Sequence, residues 1–175
     1  MDAAFVPLLI RREDFSVLLS SVLPKTDAAG SMQVQTRTLT VPFRTLVVED
    51  HKPFLEYICS TLRENPHLEL VGQAENGTEA VERSAVLQPD LIFLDIGLPG
   101  INGLEAACRI RSLVPGTKII FLTQETSPEI VHEALGLGAS GYVLKSKSYS
   151  DLQIAIEAVL LGNSFVSEGL DGHGQ

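Results

Sequence analysis

Leu91-Ile92-Phe93-Leu94-Asp95-Ile96-Gly97-Leu98-Pro99-Gly100-Ile101-Asn102-Gly103 is the stretch on which the fold turns. Its first four residues are apolar without alternation, the pattern of a strand buried on both faces. Such burial belongs to a parallel sheet covered by helices on either side, because a sheet with one wet face alternates apolar and polar residues. The run stops at a carboxylate, Asp95, and passes into Gly97, Pro99 and Gly100, which favour turns over regular structure. Asn102, with Glu105 three residues on, has the spacing of a helix cap, so a helix is expected over about Gly103 to Leu113.

The same strand–loop–helix unit recurs on both sides. Upstream, Thr45–Val48 is an apolar burst, and a helix is expected from about Pro53 to Glu64, with Phe54, Leu55, Ile58 and Leu62 on one face and Asn65-Pro66 as its stop. Leu68–Ala74 reads as a second strand and about Thr78–Leu87 as a helix, Asn76 and Glu79 repeating the cap spacing. Downstream, Lys118–Thr123 and Gly141–Leu144 are further strands. Ser127-Pro128-Glu129 opens a fourth helix with Ser as cap and Pro at the first helical position. Ser148…Asp151 opens the last helix, which runs to Leu161 and stops at Gly162. Five βα units predict an α/β fold: a five-stranded, doubly wound parallel sheet with right-handed crossovers. In such sheets ligands bind beyond the carboxyl ends of the strands.

The residues at those ends are Glu49-Asp50, Asp95, Thr123 and Lys145. Three carboxylates converging on one sheet edge repel one another, and a hard cation removes the conflict. Mg²⁺ accepts one or two carboxylates and binds phosphate oxygens readily. Lys145 adds a point charge suited to phosphate and Thr123 a hydroxyl donor. The constellation is acidic when empty and complementary to a phosphoryl group with Mg²⁺. A carboxylate is also a competent nucleophile in phosphoryl transfer.

Val47-Val48-Glu49-Asp50-His51, Leu94-Asp95 with the loop to Gly103, Leu122-Thr123 and Gly141-Tyr142-Val143-Leu144-Lys145 together resemble two-component response regulator receiver domains. The resemblance covers about residues 44–166. Each motif alone is weak, but four in order at the expected strand ends are specific. The resemblance implies a flavodoxin-like fold with strand order 2-1-3-4-5. It implies that Asp95 is the phosphoacceptor and that Glu49, Asp50, Asp95 and the Gly97 backbone carbonyl hold Mg²⁺. Thr123 and Tyr142 become the switch pair, the aromatic moving between inward and outward rotamers, and Lys145 the phosphoryl contact. The implied donor is a histidine kinase or a phosphotransfer protein. The implied output surface comprises the fourth helix, the fifth strand and the last helix, binding a protein partner or a second copy of the chain. The wording from Gly141 to Ser146, and again from Ser150 to Leu160, is closest to receivers that usually precede a LuxR-type helix-turn-helix.

Only Glu168–Gln175 follow the Gly162–Ser167 segment, a short polar stretch read as a flexible tail from residue 167. Two readings remain, a stand-alone receiver or a piece of a longer product. Gln124 stands where receivers usually carry a small residue, which bears on the lifetime of the phosphorylated state. Residues 1–43 lack the βα alternation. They are read as an extension with a helix capped by Asp14 and stopped by Pro24, and a polar linker from Lys25 to Pro42.

A net charge of −9 with only 13 Lys and Arg, all scattered, argues against direct nucleic-acid binding by this chain. No apolar run reaches the ~18 residues of a membrane span, and Phe5–Ile10 lacks the preceding basic residue of a signal peptide, so the cytoplasm is expected. Cys59 and Cys108 are expected as buried thiols on helix faces, and the histidines as surface residues. Phosphatases with an Asp nucleophile commonly place a second Asp two residues on as general acid, and position 97 is Gly. A degenerate scaffold would have lost an acidic residue, the Thr or the Lys, and none is lost. The chain is therefore read as a switch that catalyses its own phosphoryl acceptance and loss, not as a turnover enzyme.

Overall fold

The computed structural model describes residues 41–170, together with the backbone of Lys25–Thr26 and Met32–Gln33. The chain divides at Val41 into two units. In the first, Lys25–Thr26 pairs antiparallel with Met32–Gln33, inside the stretch read as linker. The helix expected after Asp14 lies outside the described residues.

The second unit runs β1 (Phe43–Val48), α1 (Lys52–Arg63), β2 (Leu68–Ala74), α2 (Gly77–Leu87), β3 (Leu91–Leu94), α3 (Gly103–Leu113), β4 (Lys118–Thr123), α4 (Pro128–Gly136), β5 (Gly141–Leu144), α5 (Ser148–Leu160) and β6 (Phe165–Val166). All neighbouring strands pair in parallel, in the order β2-β1-β3-β4-β5-β6. This is the flavodoxin-like winding, with one strand more than expected.

The apolar runs are explained by two cores, one on each face of the sheet. Leu46, Val48, Ile92, Leu94, Phe121 and Tyr142 face α2, α3 and α4. Their strand neighbours Val47, Phe93, Ile120, Leu122 and Val143 face α1 and α5. A strand that is apolar at every position suits a sheet with no wet face. The caps form as expected. Asn76 Oδ1 accepts from the Glu79 amide and Asn102 Oδ1 from the Glu105 amide, each at 2.9 Å, and Ser127 Oγ accepts from the Ile130 amide at 3.4 Å.

Several expectations are corrected. The sheet has six strands because Phe165 and Val166 pair with Gly141 and Tyr142 of β5. Two residues carry no strand periodicity, and the pairing follows from the turn at Gly162, whose φ of +84° brings the chain back beside β5. The segment from Ser167 also packs, with Ser167 fully buried and Leu170 7% exposed. Ser148 does not cap α5. It is the first helical residue after a 3₁₀ turn over Lys145–Lys147, and its hydroxyl donates to the Lys145 carbonyl at 2.9 Å. Cys59 is buried, but Cys108 is exposed because the inward stripe of α3 is Leu104, Ala106, Ala107 and Ile110.

One glycine sets the approach of α3 to the loop after β3. A Cβ on Gly103 would lie 2.0 Å from the Asp95 carbonyl oxygen and 2.8 Å from the Ile96 Cα. Backbone cannot yield there as a flexible side chain can. Gly103→Ala should cost about 1–3 kcal/mol in urea unfolding, as overpacking does. Gly116→Ala, where a Cβ meets nothing within 4 Å, is the control and should leave stability nearly unchanged.

Candidate functional site

The carboxyl edge of the sheet gathers its charge from three strand ends. Val48 lies opposite Leu94 in register, so the residues that follow, Glu49 and Asp95, leave the sheet side by side. Glu49 and Asp95 are buried at 2% and 5% exposure, whereas Asp50 is exposed. One carboxylate oxygen from each of the three can be chosen so that all lie within 4.8 Å of one another.

Lys145 reaches this group from the far side of β4, at the end of β5. Its ammonium donates to Asp95 Oδ2 at 2.7 Å and to Glu49 Oε1 at 2.9 Å. It also lies 2.7 Å from Glu49 Oε2, but out of line for a hydrogen bond, so that buried oxygen has no aligned donor. The ammonium stands 5.1 Å from the centre of the Phe54 ring on α1, a cation–π contact that walls one side of the site. Burial pushes the Glu49 carboxyl above its usual range, against the opposing pull of Lys145. Burial works to lower Lys145 as well, but its bonds to Asp95 and Glu49 outweigh that and hold the ammonium above its ordinary value.

Asp95 Oδ1 accepts from the Gly97 amide at 3.2 Å, which turns the loop after β3 back over the carboxylate. Glu49 Oε1 accepts from the His51 amide at 3.1 Å. Hard carboxylate oxygens, one of them buried without an aligned donor, suit a hard divalent cation such as Mg²⁺.

Thr123 and Tyr142 meet a different partner. The Thr123 hydroxyl accepts from the Glu125 amide at 3.1 Å, and the Tyr142 hydroxyl donates to the Glu125 carbonyl at 2.9 Å. Tyr142 is fully buried, its ring 6.3 Å from that of Phe121. Its phenol is pushed up to about 12 by burial first, then by the negative charges of Glu125 and Asp95. Both switch candidates therefore converge on Glu125, in the loop between β4 and α4. Gln124 beside it is exposed.

Of the residues expected at the site, Glu49, Asp50, Asp95 and Lys145 are brought together, Gly97 joins through its amide, and Thr123 and Tyr142 hold the adjoining loop. Sequence reasoning placed Phe54 on the apolar face of the first helix and missed its contact with Lys145. It also missed Glu125, whose part is played by backbone atoms that leave no mark on the sequence.

The fold and its edge define a flavodoxin-like α/β protein with an acidic pocket bridged by one lysine. The response regulator receiver domain family matches residues 45–157. The nitrate/nitrite response regulator NarL of Escherichia coli K12 is 33% identical over 129 residues, covering 74% of this chain and 60% of NarL. VraR of Staphylococcus saprophyticus is 33% identical over 116 residues, covering 66% of this chain and 56% of VraR. Among solved structures, a LuxR-family two-component response regulator from Aurantimonas sp. SI85-9A1 superimposes with a TM-score of 0.70 at 31% identity, over 74% of this chain and 93% of that one. The isolated receiver domain of RcsB from Salmonella enterica serovar Typhimurium, in the presence of the phosphomimetic BeF₃⁻, gives 0.70 at 26% identity, over 74% and 96%. The chain belongs to the response regulator receiver domain family. It spans between 51 and 60% of the length of the first curated relatives it matches.

Removing Lys145 tests the charge balance. Lys145→Ala leaves two buried carboxylates without their cation and should cost about 3 kcal/mol or more at neutral pH, as breaking a buried pair does. The deficit should shrink in urea titrations at pH 3, because burial raises the Glu49 carboxyl above its usual range and it is then protonated and needs no ammonium. An equal deficit at both values would place the loss in packing against Phe54.

Proposed function

We propose that Asp95 accepts a phosphoryl group from a partner histidine kinase or phosphotransfer protein, and that the resulting charge switches the surface around α4, β5 and α5. The observation that carries this reading is the Lys145 ammonium bonded to both Asp95 and Glu49 at the carboxyl edge of the sheet. A cation placed there stabilises negative charge that develops on a transferring phosphoryl group, without reorganisation at the moment of reaction.

The step is a displacement at phosphorus. An Asp95 carboxylate oxygen forms the new O–P bond, the P–N bond of a phosphohistidine breaks, and the imidazole nitrogen leaves with the electron pair and takes up a proton. Glu49, Asp50 and Asp95 would hold Mg²⁺, with the Gly97 carbonyl as a further ligand. When bound, that ion offsets the charge of the carboxylates and the phosphoryl oxygens. Lys145 passes from the resting carboxylates to the phosphoryl oxygens. Thr123 turns its hydroxyl toward the new charge, the bond it shares with the Glu125 amide is exchanged, and the β4–α4 loop follows. Tyr142, bonded to the same loop residue, registers that movement. This is a two-state packing change biased by local charge. The chain acts as a regulator by its family and as a substrate of its own chemistry. Its acidity argues against nucleic acid as the partner of this chain.

Acetyl phosphate with Mg²⁺ should add one phosphoryl group, seen as a single mass increment, and Asp95→Asn should abolish it. Full labelling of that variant would remove Asp95 from its role.

Mg²⁺ should raise the melting temperature by mass action on the folded state. Glu49→Gln with Asp50→Asn should erase that rise. An equal rise in both proteins would put the ion elsewhere.

A further inference from the structure

β6 and the residues after it are the part of the fold that the receiver reading leaves without a task. Ser167 is fully buried and binds three places at once. Its amide donates to the Tyr142 carbonyl at 2.9 Å. Its hydroxyl accepts from the Leu144 amide at 3.1 Å and donates to Asp151 Oδ2 at 2.6 Å. The other Asp151 oxygen accepts from the Ser150 hydroxyl at 2.7 Å. Lys147 Nζ closes over the segment, donating to the Glu168 carbonyl at 2.8 Å. Leu170 enters the apolar cluster that contains Tyr142 and Leu144.

A buried hydroxyl is costly unless its polar capacity is used, and Ser167 uses both donor and acceptor. What it binds is informative. Tyr142 is the aromatic bonded to the β4–α4 loop, and Leu144 immediately precedes Lys145. Asp151 lies in the first turn of α5, which follows the 3₁₀ turn that Lys145 opens. The hydroxyl of Ser167 thus bridges the backbone just before Lys145 to a side chain just after that turn.

We infer that Phe165–Leu170 is a latch coupled to the acidic pocket, closing more tightly when Lys145 is drawn to added negative charge on Asp95. At rest the Lys145 ammonium is shared between two carboxylates. A phosphoryl group adds charge and strong acceptor oxygens within its reach. The stronger tether restricts the backbone from Leu144 through Asp151, which is the span that Ser167 bridges. Coupling of this kind is reciprocal, so opening the latch weakens binding of a phosphoryl mimic by the same factor. The C-terminal end of the packed unit then carries the state of the pocket. The inference rests on the phosphoryl reading given above.

Amide hydrogen exchange on the full 175-residue chain tests it, with Mg²⁺ alone and with Mg²⁺ plus beryllofluoride. Exchange of the Ser167 and Leu144 amides should slow by about fivefold or more, the lower end of common couplings. Ser167→Ala should speed exchange of the Leu144 amide without beryllofluoride and weaken beryllofluoride binding by a matching factor. Asp151→Asn keeps the buried serine and serves if Ser167→Ala does not fold. Unchanged or faster exchange with beryllofluoride bound, in a protein that still takes phosphoryl from acetyl phosphate, overturns the latch and leaves the receiver reading standing. Wild-type chain that takes no phosphoryl overturns both.

Discussion

Everything at the functional edge depends on one cation placed against buried carboxylates. Glu49 and Asp95 leave adjacent parallel strands, so the register of β1 and β3 brings two anions together in a place water scarcely reaches. Such an arrangement is tolerable only with compensation. Lys145 supplies it from β5, across the intervening β4, with the Phe54 ring against its ammonium.

The rest of the unit keeps that geometry rigid on one side and adaptable on the other. Around Asp95 the contacts are backbone against backbone, with α3 set on the Asp95 carbonyl at a position where only glycine fits. The Thr123 and Tyr142 hydroxyls, by contrast, each meet one loop residue, Glu125, through a single hydrogen bond, although the Tyr142 ring is itself buried against Phe121. Single bonds to a loop exchange readily, whereas close-packed backbone does not.

Much of this was legible in the residues. Leu91–Leu94 announced a two-faced sheet because a strand with helices on both sides has no polar position to spare. Asn76, Asn102 and Ser127 marked helix starts because their side chains satisfy amides that the helix itself cannot. Glu49, Asp50, Asp95 and Lys145 were readable because strand ends on one edge of a parallel sheet must converge. Other features left no such trace. β6 is two residues long and depends on a turn and on Ser167, a residue type that usually faces solvent. The Ser148 start misled because Ser followed by an acid three residues on looks like a cap, while Asp151 is engaged with Ser167 instead. Cys108 shows the limit of composition, since only the phase of α3 decides which side of the helix it takes.

The strand order has a consequence for how the chain supplies the site. β1 and β2 pair first in the chain, β3 joins the free edge of β1, and β4, β5 and β6 each add to the edge left by the strand before. No strand has to be inserted between two already paired. The sheet's spatial order from β1 onward thus follows the chain, with β2 alone placed on the other edge. Glu49 and Asp95 are juxtaposed by β1 and β3, while Lys145 follows two strands later. In the finished sheet the residue that balances them, Lys145, therefore comes from a strand far later in the chain than either.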